Sequence, residues 1–312
     1  MSNNPKTRRF ADTCRLASSE PCSTSRLVGN WQLDEVVASG RMRNVYFARP
    51  LGCPPSWPAD YAVKVLNADF AEDPVAINSL QREAEVGRHS SHSNLVPILE
   101  TGLSDVHPHV VMPRLHGACL SDVIQRVGRL AIPQAIWIAR QVGQALQHLH
   151  GNGWIHADVK PANMIVSEQG HATLVDLGSS LRPDESIFSW QRPLAGTLEY
   201  VAPETLTSAM QTSPASDIYS LGISLFEMLT GRLPFTASNP SEWVESQLRK
   251  TPPRVSDVLG QVPNDVVDLV RRMLSKSPLR RPQSAAELVD ELSRLEIGLL
   301  TTHQDKSRSA VA

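Results

Sequence analysis

Up to about residue 113 the chain alternates short β-forming runs with turns, and from about residue 119 onward it is made of amphipathic helical stretches. This segregation constrains the fold more than any single residue. Strands gathered in one part and helices in another give an α+β architecture, not an alternating α/β one. Residues 31 to 49 (WQLDEVVASGRMRNVYFAR) read as two strands around a turn containing Gly40, with Val45, Tyr46 and Phe47 as strand formers. Residues 50 to 60 carry four prolines and a glycine and therefore form a loop. YAVKVL (61 to 66) is a third strand, 75 to 89 a helix with Gly87 near its end, and 95 to 103 and 109 to 113 two further strands. A long amphipathic helix follows at 132 to 150, with Pro133 near its start. Short strands at 164 to 167 and 172 to 176 precede helices at 217 to 230, 262 to 275 and 284 to 295, the last opened by a candidate capping box of Ser284 and Glu287. At 312 residues the chain exceeds the usual size of a single core, which points to one large bilobal domain or two packed ones.

The formal net charge of −2 gives no reason to expect nucleic-acid or anionic-membrane binding. Cys14, Cys22, Cys53 and Cys119 are scattered, with no CxxC pair, and read as unpaired thiols in a reducing compartment. No apolar run approaches the ~18 residues a membrane span needs. The first 29 residues are polar and rich in Ser and Arg, without an apolar signal core, and read as a disordered tail. Together these features suggest a cytoplasmic protein.

The chemistry concentrates in HADVKPAN, residues 156 to 163, followed by DLG at 176 to 178. Asp158, Asn163 and Asp176 are acceptors and Lys160 is a fixed cation. A carboxylate can orient a hydroxyl, an amide oxygen with a second carboxylate can hold Mg²⁺, and an ammonium can neutralise a moving phosphoryl group.

YAVKVL, REA, HSNLV, HADVKPAN, VDLG, GTLEYVAPE, DIYSLG and LRRP occur in this order. In this series the chain resembles a eukaryotic-type (bacterial Hanks-type) serine/threonine protein kinase over residues 31 to 296. The resemblance implies a small antiparallel N-lobe sheet with one main helix (about 30–112), a hinge (about 113–117) and a larger, mostly helical C-lobe (about 118–297), with a short polar tail at 298–312. It implies ATP and Mg²⁺ as cofactors and protein Ser/Thr hydroxyls as acceptors. Asp158 matches the catalytic aspartate, Lys160 the residue that stabilises the γ-phosphoryl group, and Asn163 and Asp176 the Mg²⁺ ligands. Lys64 matches the lysine on the α- and β-phosphates. Its implied partner is Glu83, with Glu85 as the rival. Thr197 resembles the threonine that bonds the catalytic Asp and Lys. Ala38, Gly40, Val45, Ala62, Met112, Pro113, Leu115 and Ile165 match positions around the nucleotide. His156 and Asp217 match structural residues, and Glu204 with Arg281 an ion pair that anchors the activation segment.

Two departures stand out. The glycine-rich loop falls on Ala38 to Val45 and keeps only its middle glycine, Gly40, which weakens the case for tight ATP binding. Ala157 replaces the Arg that usually precedes the catalytic Asp, so a phosphate on Ser186 or Ser189 would find no latch there. A pseudokinase-like binding or scaffold module is therefore the competing expectation. A small-molecule phosphotransferase on a related fold is a third, opposed by the peptide-docking look of GTLEYVAPE.

Overall fold

The computed structural model describes residues 26–185, 198–207 and 212–309, with side chains through Thr301. They divide into two compact units. Unit one comprises the described residues through Gln81 together with Ile98–Arg114. Its six strands are β1 (Arg26–Val28), β2 (Trp31–Ser39), β3 (Arg43–Pro50), β4 (Tyr61–Leu66), β5 (Glu100–Gly102) and β6 (His109–Pro113). They form one antiparallel sheet in the order β1-β2-β3-β4-β6-β5. The side-chain period of two sorts its faces. Val63 and Val65 join Tyr46, Ala48 and Val111 in a buried cluster closed by Trp31, whose ring meets that of Tyr61 at 4.7 Å. Ala62 and Lys64 therefore face the other way. The register sets Val45 opposite Lys64 and Met112 opposite Ala62, so these four share the second face.

Helix α1 (Pro74–His89) starts at Asp73, whose carboxylate accepts the N–H groups of Val75 (2.8 Å) and Ala76 (3.0 Å), with Pro74 at its first position. From Arg82 it belongs to unit two, with residues 83–97 and everything from Leu115. Unit two holds a three-stranded sheet, β7 (Ala118–Cys119), β8 (Met164–Val166) and β9 (Ala172–Leu174), and the helices α2 (Leu120–Val127), α3 (Ile132–Gly151), α4 (Pro214–Thr230), α5 (Pro240–Arg249), α6 (Val255–Leu259), α7 (Asn264–Met273) and α8 (Ala285–Ser309). Helix α4 is buried on most sides, as its apolar sequence requires. Helix α3 packs against it and against α8, where Arg140 pairs with Glu296 at 2.6 Å. None of these helices is long and apolar enough to cross a membrane among the described residues.

Several elements differ from the sequence expectation. The strand placed at 95–103 survives only as Glu100–Gly102. Pro97 has no N–H to give a ladder, and the backbone before it pairs elsewhere: Val96 N–H donates to Leu174 O (3.1 Å) and Leu174 N–H to Asn94 O (2.8 Å). Strand β1 (Arg26–Val28) lies inside the stretch to residue 29 expected to be a disordered tail. Helix α8 continues through the segment read as a polar tail, since no proline interrupts it. At its start Ser284 accepts Glu287 N–H (3.1 Å), but Glu287 reaches Gln283 N–H (2.8 Å) instead of Ser284, a capping box shifted by one residue. Cys53 and Cys119 are free thiols, while Cys14 and Cys22 lie outside the described residues.

Candidate active site

The HADVKPAN loop runs from the end of α3 into β8, and DLG leaves β9, so both motifs open from the mouth of one hairpin. Val175 N–H donates to Asn163 O at 2.9 Å and closes that mouth. The loop's shape is imposed from α4. Asp217, in the first turn of that helix, accepts His156 N–H (2.8 Å) on one oxygen and Ala157 N–H (2.9 Å) on the other, while His150 Nε2 lies 2.8 Å away. To turn both amides inward, Ala157 takes φ = 63°, a left-handed conformation that costs an L residue about 1–2 kcal/mol. Three bonds to one buried carboxylate offset that cost. His156 is fully buried, with Nδ1 accepting Asp158 N–H (3.3 Å) and Nε2 facing Val175 O (3.3 Å). Both nitrogens serve the backbone, as a structural histidine's do.

Asp158 Oδ2 receives Lys160 Nζ at 2.8 Å and Asn163 Nδ2 at 2.8 Å, and the same amide nitrogen also donates to Asp158 O (2.8 Å). Burial holds the Asp158 carboxyl above its ordinary range. Lys160 pulls it down and the nearby charge of Asp176 pushes it up again. Asp176 itself adopts φ = 65°, with Leu177 and Gly178 buried behind it. A divalent cation suits this arrangement. Asn163 commits its amide nitrogen to Asp158, which turns its oxygen away as a hard donor, and Asp176 adds a carboxylate whose repulsion of Asp158 a cation would relieve. Mg²⁺ characteristically takes few protein ligands and leaves the rest to phosphate and water.

Behind this loop, Glu204 and Arg281 form a bidentate pair at 2.6 and 2.7 Å, both residues buried. Ser216 adds a bond to Glu204 (2.9 Å), and Arg281 also holds Ala215 O (2.7 Å) and lies 4.8 Å over the Tyr219 ring. The segment just before Glu204 is tied to α4 as well: Tyr200 O–H donates to Glu227 at 2.5 Å and Ser220 Oγ to Tyr200 O at 2.8 Å.

Residues 56–292 match the family model described as protein kinase domain. The chain belongs to the protein kinase family. It is 31% identical over 283 residues to a probable serine/threonine-protein kinase of Clostridium perfringens, covering 90% of this chain and 41% of that one. It is 30% identical over 263 residues to the serine/threonine-protein kinase PrkC of Bacillus subtilis (84% and 40%), and 33% identical over 280 residues to PknB of Mycobacterium tuberculosis (88% and 44%). The chain thus spans roughly two-fifths of the length of these relatives.

In unit one of the kinase, Lys64 is buried on β4, and Ala38, Val45, Ala62 and Met112 lie on β2, β3, β4 and β6. Pro113 ends β6 opposite Tyr61. In unit two, Leu115 is half-buried and Ile165 lies on β8 opposite Cys119 and Thr173. The turn joining β2 and β3 explains its single glycine. A Cβ on Gly40 would stand 3.1 Å from Arg43 O, the acceptor of Gly40 N–H. Asn67 pins the turn, donating to Gly40 O (2.9 Å) and Arg41 O (2.8 Å) and giving its own N–H to Met42 O (2.8 Å). Arg43 reaches Ser79 at 3.4 Å. Nothing in the turn's sequence announces Asn67, because it lies 24 positions beyond Arg43. Asn67→Ala is expected to cost ~1–2 kcal/mol in denaturant unfolding and to speed amide exchange at 40–43. Unchanged exchange there would show that the turn holds itself.

The two candidate glutamates separate by burial: Glu83 is fully buried, while Glu85 is exposed and pairs with Arg82 (3.4 Å) and Arg182 (3.6 Å). They border a cluster invisible in the sequence. The Trp154 ring has Arg82 at 5.1 Å and Arg182 at 4.2 Å from its centre, and Arg82 meets Glu185 at 2.6 Å. Thus α1 and the stretch after DLG are joined without an arginine at position 157. Thr197, Ser186 and Ser189 lie outside the described residues.

Lys276 gives a test of the anchor around Arg281. Burial, then the Arg281 charge, lower its pKa to about 8 from an ordinary 10.5. The Phe235 face, 4.4 Å away, partly compensates. From pH 8 to 10.5 the unfolded chain binds a proton that the folded chain does not, so this group makes stability rise with pH there. The stability of the parent relative to Lys276→Met is therefore expected to increase from pH 7 to pH 10 in urea unfolding. A flat difference would refute the desolvation.

Proposed function

We propose that the chain is a Mg²⁺-ATP-dependent protein-serine/threonine kinase that transfers the γ-phosphoryl group of ATP to Ser or Thr hydroxyls of protein substrates. The observation that carries this reading is the Asp158 carboxylate, buried and flanked by Lys160 and Asn163 at 2.8 Å each. Asp158 orients the acceptor hydroxyl and takes its proton as the new P–O bond forms and the bond to the ADP oxygen breaks. Lys160 stabilises charge on the transferring group. Asn163 and Asp176 would hold Mg²⁺, which supplies charge neutralisation at the phosphates when bound. Lys64 is assigned to the α- and β-phosphates, Glu83, in preference to Glu85, to the regulatory position on α1, and Thr197 to the acceptor side. Ala38, Gly40, Val45, Ala62, Met112, Pro113, Leu115 and Ile165 are assigned to the nucleotide.

The enzyme is of the non-RD type, because Ala157 can bind no phosphate. Ser186→Ala with Ser189→Ala is accordingly expected to leave peptide phosphorylation within about twofold of the parent. Loss of activity in a folded double variant would contradict this. A nucleotide-binding or scaffold module with weak transfer is the second reading, favoured by the glycine-poor, Asn67-pinned turn. Incubation with Mg²⁺-ATP and a generic basic protein, followed by mass-spectrometric mapping of phosphosites, separates the two. New phosphoserine or phosphothreonine supports the kinase. Its absence, with a Mg²⁺-ATP thermal shift retained, supports the binding module.

A further inference from the structure

Three consecutive backbone carbonyls of the segment preceding Glu204 are held by side chains. Ser220 takes Tyr200 O, and Gln247 takes the other two: its Nε2 donates to Leu198 O (3.2 Å) and Glu199 O (2.6 Å). Gln247 is fully buried on α5. Its orientation follows from a chain of donors. Lys276 Nζ, which can only donate, lies 3.1 Å from Tyr219 Oη and 3.3 Å from Ser246 O. The Tyr219 oxygen accepts from it, and the Tyr219 O–H points to Gln247 Oε1 at 2.6 Å. With its oxygen occupied, the amide can present only its NH₂ group to the two carbonyls.

What Gln247 holds is tied to the helix that shapes the HADVKPAN loop: Ser220, which takes Tyr200 O, stands one turn after Asp217, the residue that holds the His156 and Ala157 amides. Burial raises the Glu199 carboxyl, and Lys160 is close enough to pull it back. Leu198 and Glu199 belong to GTLEY, the stretch that resembles a peptide-docking surface. We infer that Gln247 is a positioning residue for the protein substrate: through Leu198 and Glu199 it sets the edge on which the acceptor peptide lies beside Asp158 and Lys160. This rests on the kinase reading above. The fixed fork of one NH₂ on two successive carbonyls makes the segment rigid, and a rigid docking edge lowers the ordering cost of peptide binding.

The test uses the whole chain with Gln247→Leu, Gln247→Glu and Tyr219→Phe. Steady-state kinetics are run with a basic peptide and with ATP, beside hydrogen exchange over residues 198–207. For Gln247→Leu the peptide KM is expected to rise about tenfold, with the ATP KM within about twofold and faster exchange in 198–207. Gln247→Glu, which sets a carboxylate against two carbonyls, should do the same or more. Tyr219→Phe removes one oxygen and should raise the peptide KM about threefold. Combined with Gln247→Leu it should add little, because both act through one amide. Should Gln247→Leu fail to fold, Tyr219→Phe carries the test. An unchanged peptide KM, or peptide and ATP KM rising together, overturns the inference. If the parent transfers no phosphate, the kinase reading falls first, and exchange in 198–207 then decides alone: protection that survives in the variants rejects the role of Gln247.

Discussion

Replacing Asp158 by Asn is expected to lower kcat for peptide phosphorylation by about 10²–10⁴-fold, the usual contribution of a positioned general base. The substitution keeps the volume and leaves one oxygen, which can take the place of the Oδ2 that accepts from both Lys160 and Asn163. It removes the carboxylate that is proposed to take the proton. The burial that holds the Asp158 carboxyl above its ordinary range also makes its charge costly to the fold. The variant is therefore expected to unfold at the parent's temperature or higher while losing activity. The ATP KM should stay within about twofold, since the role proposed for Asp158 is on the acceptor oxygen. Stopped-assay kinetics with thermal unfolding check both halves. An active Asp158→Asn enzyme would remove the basis of the kinase reading.

Breaking the Glu204–Arg281 pair should give the largest loss of stability. Both residues are buried and the contact is bidentate. Among the described residues Arg281→Ala leaves the Glu204 carboxylate with Ser216 alone, and it also strips partners from Ala215 O and Ser275 O. Removing one partner of a buried pair costs about 3–5 kcal/mol. At about 2–4 °C per kcal/mol for a domain of this size, the melting temperature should fall by roughly 10 °C. Glu204→Ala should cost a similar amount. The double variant should cost clearly less than the sum, because the two residues are coupled. Additive losses in urea unfolding would mean that each residue acts independently of the other.

The elements and residues that could be read from the sequence have their cause within a few positions. Lys64 sits in a six-residue strand whose alternation sorts its neighbours, and Asp158, Lys160 and Asn163 lie within one turn of loop. Helix α5, absent from the sequence expectation, is nonetheless announced by Asn239 and Pro240, with Asn239 accepting Glu242 N–H at 3.0 Å. Pro97 cuts the strand expected at 95–103 back to Glu100–Gly102, against the apolar pattern around it. Glu83 and Glu85 could be ranked by spacing, but burial separates them: a helix turns one toward the interior and the other outward.

Local pattern reaches as far as periodicity, turn chemistry and short motifs carry it, and for this chain that covers the α+β plan and the acidic and basic groups of the HADVKPAN loop. The remaining features depend on packing over long separations. Asn67 meets the Gly40 turn, Asp217 bends the backbone at Ala157, Trp154 gathers Arg82 and Arg182, and Gln247 reaches Leu198. Each joins groups 27 to 72 residues apart in sequence. A hydrogen bond or ring contact has no period and leaves no trace in composition, so its partner becomes known only when the helices and sheets have packed.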